Sequence, residues 1–205
     1  MAVSLPIDID SVKGFLAADE GEALFEMALQ ASTLAPCLEI GSYCGKSTVY
    51  LGCACRQNNS VLYALDHHRG SEEHQLGEQY HDPELYDAGV KAMDSFPVFR
   101  DTLARAGLDD TVVPLVTSSS VASRHWATPL GMVFIDGGHS EAAAQTDYRC
   151  WAGHVVRGGI LAIHDIFPDP ADGGQAPYHI WQLARASGLF EHLPTVNTLG
   201  LFRRR

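Results

Sequence analysis

The sequence predicts an α/β fold: a mostly parallel sheet of seven strands with one antiparallel strand, helices on both faces and extra helices at the N-terminus. Three observations predict it. From Pro36 onward, short apolar runs alternate with stretches of helical period. Two of those runs, Met132-Val133-Phe134-Ile135 and Ile160-Leu161-Ala162-Ile163, are apolar without a break, as strands covered on both faces are. The run Cys37-Leu38-Glu39-Ile40-Gly41 enters a glycine-spaced turn and then a helix at once, an arrangement that aims backbone N–H groups and a helix N-terminus at a ligand.

Taken in order, residues 8–18 and 20–33 read as two helices, the second with Ala23, Met27 and Gln30/Ala31 on one stripe. Pro36, with its fixed φ and missing donor, ends helix and opens strand. Strands are expected at 37–41, 61–66, 111–116, 131–136 and 159–164, and helices at 46–57, 84–106, 119–126 and 140–155. In the last of these, Ala144, Tyr148, Trp151 and Val155 form a core-facing stripe. A helix at 177–187 and strands at 189–195 and 198–203 close the chain. The short Thr195–Thr198 connection makes those strands a hairpin, which supplies the antiparallel strand.

At 205 residues the chain builds one core and not two. We divide it into an N-terminal helical segment, 1–35, and the α/β body, 36–205. A net charge of −11 argues against nucleic acid, because no basic face outweighs it cheaply; Arg203-Arg204-Arg205 reads as a solvated end. No apolar run reaches membrane-spanning length, and Met1–Asp10 is too acidic for a signal peptide. The five cysteines lack Cys-x-x-Cys spacing and fit reduced thiols in a cytoplasmic protein, with Cys44 as a small space-filling residue. The sequence leaves the oligomeric state open, with a homo-oligomer among the options.

The turn Gly41-Ser42-Tyr43-Cys44-Gly45-Lys46-Ser47 discriminates among ligands. A phosphate loop of the Gly-x-x-x-x-Gly-Lys-Ser type needs glycine where Ile40 stands. A dinucleotide loop needs Gly-x-Gly, and Tyr43 puts a bulky side chain where a pyrophosphate would approach. What remains is acidic-x-Gly-x-x-x-Gly, with Glu39 leading. Asp66 ends the second strand, where a carboxylate accepts hydrogen bonds from ribose hydroxyls. Thr117-Ser118-Ser119-Ser120 closes the third strand with good N-capping residues. The polar stretch from His67 to Pro83 reads as a substrate-side lid at the carboxyl edge of the sheet.

A second constellation is Asp136-Gly137-Gly138-His139 with His164-Asp165. Both groups stand where continuous apolar strands stop, so a parallel sheet brings Asp136, His164 and Asp165 to one edge. Two carboxylates and an imidazole there can coordinate a divalent cation, with His139 close enough to touch a substrate hydroxyl. His125, His154, His179 and His192 read as packing or surface residues.

In the order and spacing of these motifs the chain resembles the class I S-adenosylmethionine (SAM)-dependent methyltransferases, whose Rossmann-like sheet has seven strands. It is similar in particular to the metal-dependent O-methyltransferases of the catechol and antibiotic-tailoring type. The resemblance implies SAM as cofactor, held by Glu39, Gly41, Ser42, Tyr43, Gly45 and Ser47, with Asp66 on the ribose, Ser118 and Ser119 near adenine and Asp136 at its edge. It implies Asp136, His164 and Asp165 as metal ligands and His139 as the base that deprotonates a small-molecule acceptor. It also places residues 1–35 against the core or in the acceptor site. His164 departs from the family, which more often has an acid there; a softer ion than magnesium, or none, suits that change. Two other classes stay open: a nicotinamide-dependent oxidoreductase, against which the missing Gly-x-Gly argues, and a non-catalytic SAM-binding protein.

Overall fold

The apolar runs and helical stripes condense into a layered α/β fold in the computed structural model, which describes residues 3–71, 82–89 and 91–205. In chain order the elements are α1 (Ala18–Ala31), β1 (Cys37–Ile40), α2 (Lys46–Gln57), β2 (Leu62–Asp66), β3 (Tyr86–Asp87), β4 (Ala92–Met93), α3 (Phe96–Ala106), β5 (Val112–Val116) and α4 (Ser119–Ala122). Then come β6 (Leu130–Ile135), α5 (Glu141–Trp151), β7 (Val155–Ile163), α6 (Ala176–Ala186), β8 (Phe190–Val196) and β9 (Leu199–Arg204).

Seven strands form one sheet in the order β5-β2-β1-β6-β7-β9-β8. The pairs from β5 through β7 are parallel, and β9 runs antiparallel to both its neighbours. Because strand side chains alternate, the sheet feeds two cores. Cys37, Met132, Phe134 and Ile160 pack with α1, α2 and α3, while Leu38, Val133, Ile135 and Leu161 pack with α5 and α6. The stripe Ala144, Trp151 and Val155 faces the second core as expected, and Tyr148 packs at its margin. The strand order reverses at β1, which lies between β2 and β6, so a crevice opens at the carboxyl ends of β1 and β6, where open α/β sheets take ligands.

The structure corrects several expected elements. In place of a helix over 8–18 there is one 3-10 turn, Ile9–Ser11, followed by extended chain. At Gly14 (φ +154°) an added Cβ would lie 2.9 Å from Lys46 Cβ, so this segment is drawn against α2 and not coiled. The expected helix 84–106 splits: a 3-10 turn at Pro83–Leu85, the small antiparallel pair β3–β4, and only then α3, opened by Pro97 in its first turn. The turn of that pair is fixed locally by Gly89 N–H donating to Asp87 Oδ1. The helices expected at 119–126 and 140–155 are shorter, ending at Ala122 and Trp151. β7 begins at Val155, several residues before the expected start at 159, and Gly158 takes φ +80° within it. Cys44 is buried against Leu85 and Met93, a space-filling role. The expected lid falls largely on residues 72–81, outside the described residues. Among the described residues no helix is long and apolar enough to cross a membrane.

Candidate active site

The turn from β1 to α2 is shaped by two glycines with different jobs. At Gly41 (φ +89°) an added Cβ would stand 2.0 Å from the carbonyl oxygen of Asp136, so only glycine lets β1 end beside β6. Gly45 (φ +94°) is the N-cap of α2, and its N–H donates to the carbonyl of Ser42. Between them Tyr43 is also left-handed, at φ +46°. Its N–H donates to Asp66 Oδ2 at 2.8 Å, and the His68 N–H donates to Oδ1 at 2.7 Å. Asp66 therefore ties the β1–α2 and β2 turns together, and a carboxylate has lone pairs to spare for further donors.

Glu39 is fully buried beneath this turn, accepting from Ser47 Oγ at 2.5 Å and Thr48 Oγ1 at 2.6 Å. Burial pushes its pKa up to about 8, so the carboxyl is largely protonated at neutral pH and acts as a strut between β1 and α2. The Ser47 hydroxyl is thereby committed to Glu39. Ser42 is different. The residue lines the crevice, and its buried Oγ has no hydrogen-bond partner among the described residues. An orphaned hydroxyl in a cavity wall is the kind of group a ligand satisfies.

The crevice is a cavity of about 1070 Å³, room for a nucleoside-sized cofactor and a small second molecule. Its walls come from Lys13–Leu16, the Gly41–Tyr43 turn, Asp66–His67, Thr117–Ser120, Asp136–His139 and His164–Asp165.

On the far side, the ends of β6 and β7 bring Asp136, His139, His164 and Asp165 together. His164 is almost fully buried, with Nδ1 3.1 Å from Asp136 Oδ1 and 3.6 Å from Asp165 Oδ1, and Nε2 3.0 Å from Glu20 Oε2. Burial alone would lower its pKa, but Asp136 and Glu20 outweigh it and push it up to about 11; the ring is an imidazolium. Glu20 also accepts from the Thr198 N–H and hydroxyl. Burial resists its ionisation, yet His164 and Thr198 hold its pKa down at about 2. At Asp136 burial wins and raises the pKa against the pull of His164.

His139 Nε2 lies 3.0 Å from Asp165 Oδ2. Burial works against the Asp165 charge, but that bond and the neighbouring His164 keep its carboxyl below the usual range. Asp165 takes φ +57°, a strained conformation for a side-chain-bearing residue, of the sort that persists where surroundings over-determine it. Asp136, His139 and Asp165 each offer one ligand atom, all within 4.8 Å of one another. Of the expected metal ligands, His164 stands apart, because carboxylates occupy both its ring nitrogens.

The serine turn after β5 splits in two. Ser118 is exposed and pairs with Ser120. Ser119 is buried, and its Oγ accepts from Trp151 Nε1–H at 3.0 Å. Two further residues with evident roles were not among the sequence candidates. Glu20 lies in α1, 144 positions from His164, and reads there as an ordinary first-turn acid. Asp147 of α5 is buried in the cavity wall beside Ser119. Its spacing from Ala144 and Trp151, on the stripe already read as core-facing, was the available clue.

A family model described as a methyltransferase domain matches residues 38–166, more than half of the chain. Solved structures with this fold include the O-methyltransferase NovP, at 12% identity and TM-score 0.70, with 92% of this chain and 80% of that one covered. The O-methyltransferase TomG from Streptomyces achromogenes, involved in tomaymycin synthesis and crystallised with SAM, aligns at 16% identity and TM-score 0.63, covering 93% and 81%. An O-methyltransferase from Bacillus cereus in complex with S-adenosylhomocysteine (SAH) aligns at 16% and 0.63, covering 93% and 83%.

Proposed function

Since this chain belongs to the methyltransferase-domain family, a SAM-dependent enzyme class, we propose that it methylates a hydroxyl oxygen of a small molecule, with His139 as the base. The residues fit the cofactor. Gly41, Ser42 and Tyr43 line the cavity at the β1–α2 turn, Ser42 Oγ has no partner among the described residues, and Asp66, also in the cavity wall, has lone pairs beyond the two N–H groups it accepts from. Bound there, SAM supplies a sulfonium methyl that passes to the acceptor oxygen while the C–S electron pair stays on sulfur.

The observation that carries the reading is the His139–Asp165 pair on the cavity wall across from the glycine turn. With Asp165 ionised, neutral His139 keeps its proton on Nε2 and offers the Nδ1 lone pair to the acceptor O–H. Asp165 orients the ring and stabilises the cation formed. His164, fixed between Glu20 and Asp136, places β6 and β7 so that Asp136 and Asp165 face the same space. Residues 1–35 belong to the acceptor side on this reading: Lys13–Leu16 line the cavity, and Phe15 lies with its ring centroid 6.2 Å from that of Tyr43.

A second reading rests on the cluster Asp136, His139 and Asp165, one nitrogen and two oxygens, a donor set that fits a borderline divalent cation better than magnesium. Such an ion would hold the acceptor oxygen and lower its pKa. The two readings exclude each other at His139, since a nitrogen bound to metal is not a base. Transfer of label from SAM to a panel of small hydroxyl compounds, with and without chelator, separates them. Turnover unchanged by chelator supports the His139–Asp165 base, and turnover abolished supports the metal. Transfer to amines alone would contradict both.

A further inference from the structure

His68 is buried on the turn after β2, two residues beyond Asp66, and takes no part in the chemistry just described. It carries two costs. Its backbone is left-handed, at φ +57°, and its buried Nε2 has no hydrogen-bond partner among the described residues. Burial lowers its pKa, so the ring is neutral at neutral pH. Such conformations persist where the surroundings over-determine them, and here the surroundings come from α3. The ring centroid lies 5.0 Å from that of Phe96 and 5.2 Å from that of Phe99, and Nδ1 is 2.8 Å from Ser95 Oγ. The Ser95 N–H donates to the His68 carbonyl as well. Ser95 is the N-cap residue of α3, yet its hydroxyl makes no capping bond; Asp94 Oδ1 accepts the Phe96 N–H instead. Phe99 also meets the glycine turn, where a Cβ on Gly45 would stand 3.3 Å from its ring.

What this anchoring holds in place is a backbone donor. The His68 N–H donates to Asp66 Oδ1 at 2.7 Å, a side-chain turn of the kind Asp makes with the residue two places on. With the Tyr43 N–H on Oδ2, it fixes the plane of the carboxylate, so the remaining lone pairs point in a set direction. Asp66, His67 and Ser95 line the cavity and His68 does not, so any effect of its ring on a ligand passes through a neighbour. Resting on the reading that SAM occupies this cavity with its ribose on Asp66, we propose that His68 is a positioning residue for that carboxylate. Its ring, clamped by Ser95, Phe96 and Phe99, holds the β2 turn so that Asp66 meets the ribose hydroxyls already aligned. An acceptor ordered beforehand spares the ligand that cost on binding.

The test is calorimetric binding of SAH and of its 2′-deoxyribose analogue, which lacks one of the ribose hydroxyls. The native protein should favour SAH by about ten- to a hundredfold, the range of one charged hydrogen bond, and Asp66→Ala should lose that preference. Ser95→Ala and His68→Asn should each weaken SAH by about three- to thirtyfold and the analogue by less, so the preference shrinks. In an Asp66→Ala background neither change should cost anything more. Ser95→Ala deletes a single hydroxyl and decides alone if His68→Asn does not fold. Equal weakening of both ligands, or losses that add to that of Asp66→Ala, would mean a structural role or a direct contact by Ser95 and overturn the proposal. Equal affinity of the native protein for both ligands overturns the ribose role of Asp66, and this proposal with it, while leaving SAM binding intact. Absence of SAH binding to the native protein overturns the cofactor reading itself.

Discussion

The turn from β1 to α2 and the rim formed by β6 and β7 meet at one cavity yet handle charge in opposite ways. Below the glycine turn, Glu39 is buried among hydroxyls, and burial at about pKa 8 leaves it largely neutral at pH 7. At the rim, Glu20 and His164 are buried together beside the cavity-lining Asp136, and His164 keeps its charge because carboxylates stand at both ring nitrogens. The first arrangement is local, spanning strand and helix within ten residues of sequence, as Glu39 to Thr48 shows. The second joins α1, the end of β7 and the β8–β9 turn, through Glu20 to His164 and Thr198. A neutral strut suits a surface that must receive a cofactor's own charges. A fixed ionic network suits a rim that, on the function proposed, holds a base and an acceptor in line.

The largest way to break this contrast is at the base. His139→Ala should lower turnover by about 10²–10⁴, the usual cost of a lost general base, without changing SAH affinity. Steady-state kinetics with any acceptor found by screening, beside calorimetry, checks both halves of that statement. An equal loss of affinity would mean that His139 shapes the cofactor side.

Next comes the rim network. Glu20→Ala leaves the His164 imidazolium with one carboxylate fewer in a buried site and should destabilise the protein by about 3–5 kcal/mol, read by denaturant unfolding. The same pair predicts a pH profile. Glu20 is depressed to about 2, so its contribution is present above the unfolded carboxylate pKa and lost as pH falls toward 2. His164 is raised to about 11, so its contribution is full below about 6.5 and lost as pH rises toward 11. Thermal midpoints should therefore peak between about pH 4.5 and 6.5 from this pair, and Glu20→Gln should flatten the acid arm. An unchanged acid arm would show that other carboxylates govern it.

Gly41→Ala sharpens the cofactor side. The Asp136 carbonyl at 2.0 Å forces β1 and β6 apart, and the φ of +89° adds strain. Both SAH affinity and thermal stability should fall, whereas a lid-type role for the turn would spare stability.

Most of the fold was legible because its signals are local. Continuous apolar runs marked β6 and β7, and Ala144, Trp151 and Val155 marked the buried face of α5. The glycine turn was legible for the same reason, since its spacing argues against phosphate and dinucleotide loops. The β3–β4 pair was not, because two-residue strands inside a helix-like stretch have no periodicity to read. The N-terminal turn was misread as helix because Gly14 answers to Lys46, a contact absent from local sequence. In the site, the clustering of Asp136, His139, His164 and Asp165 followed from strand ends. Which nitrogen of His164 was available did not, because Glu20 arrives from another element.

One measurement bears on the central claim, that a glycine-turn cofactor side and a histidine-bearing rim act separately: calorimetric titration of SAH into the native protein, Asp66→Ala and His139→Ala, with NADH as control. We expect SAH to bind the native protein and NADH not to. Asp66→Ala should weaken SAH by about 1–3 kcal/mol, the scale of a lost charged hydrogen bond, and His139→Ala should leave it unchanged. Binding of NADH in place of SAH, or an equal loss in both variants, would contradict the account.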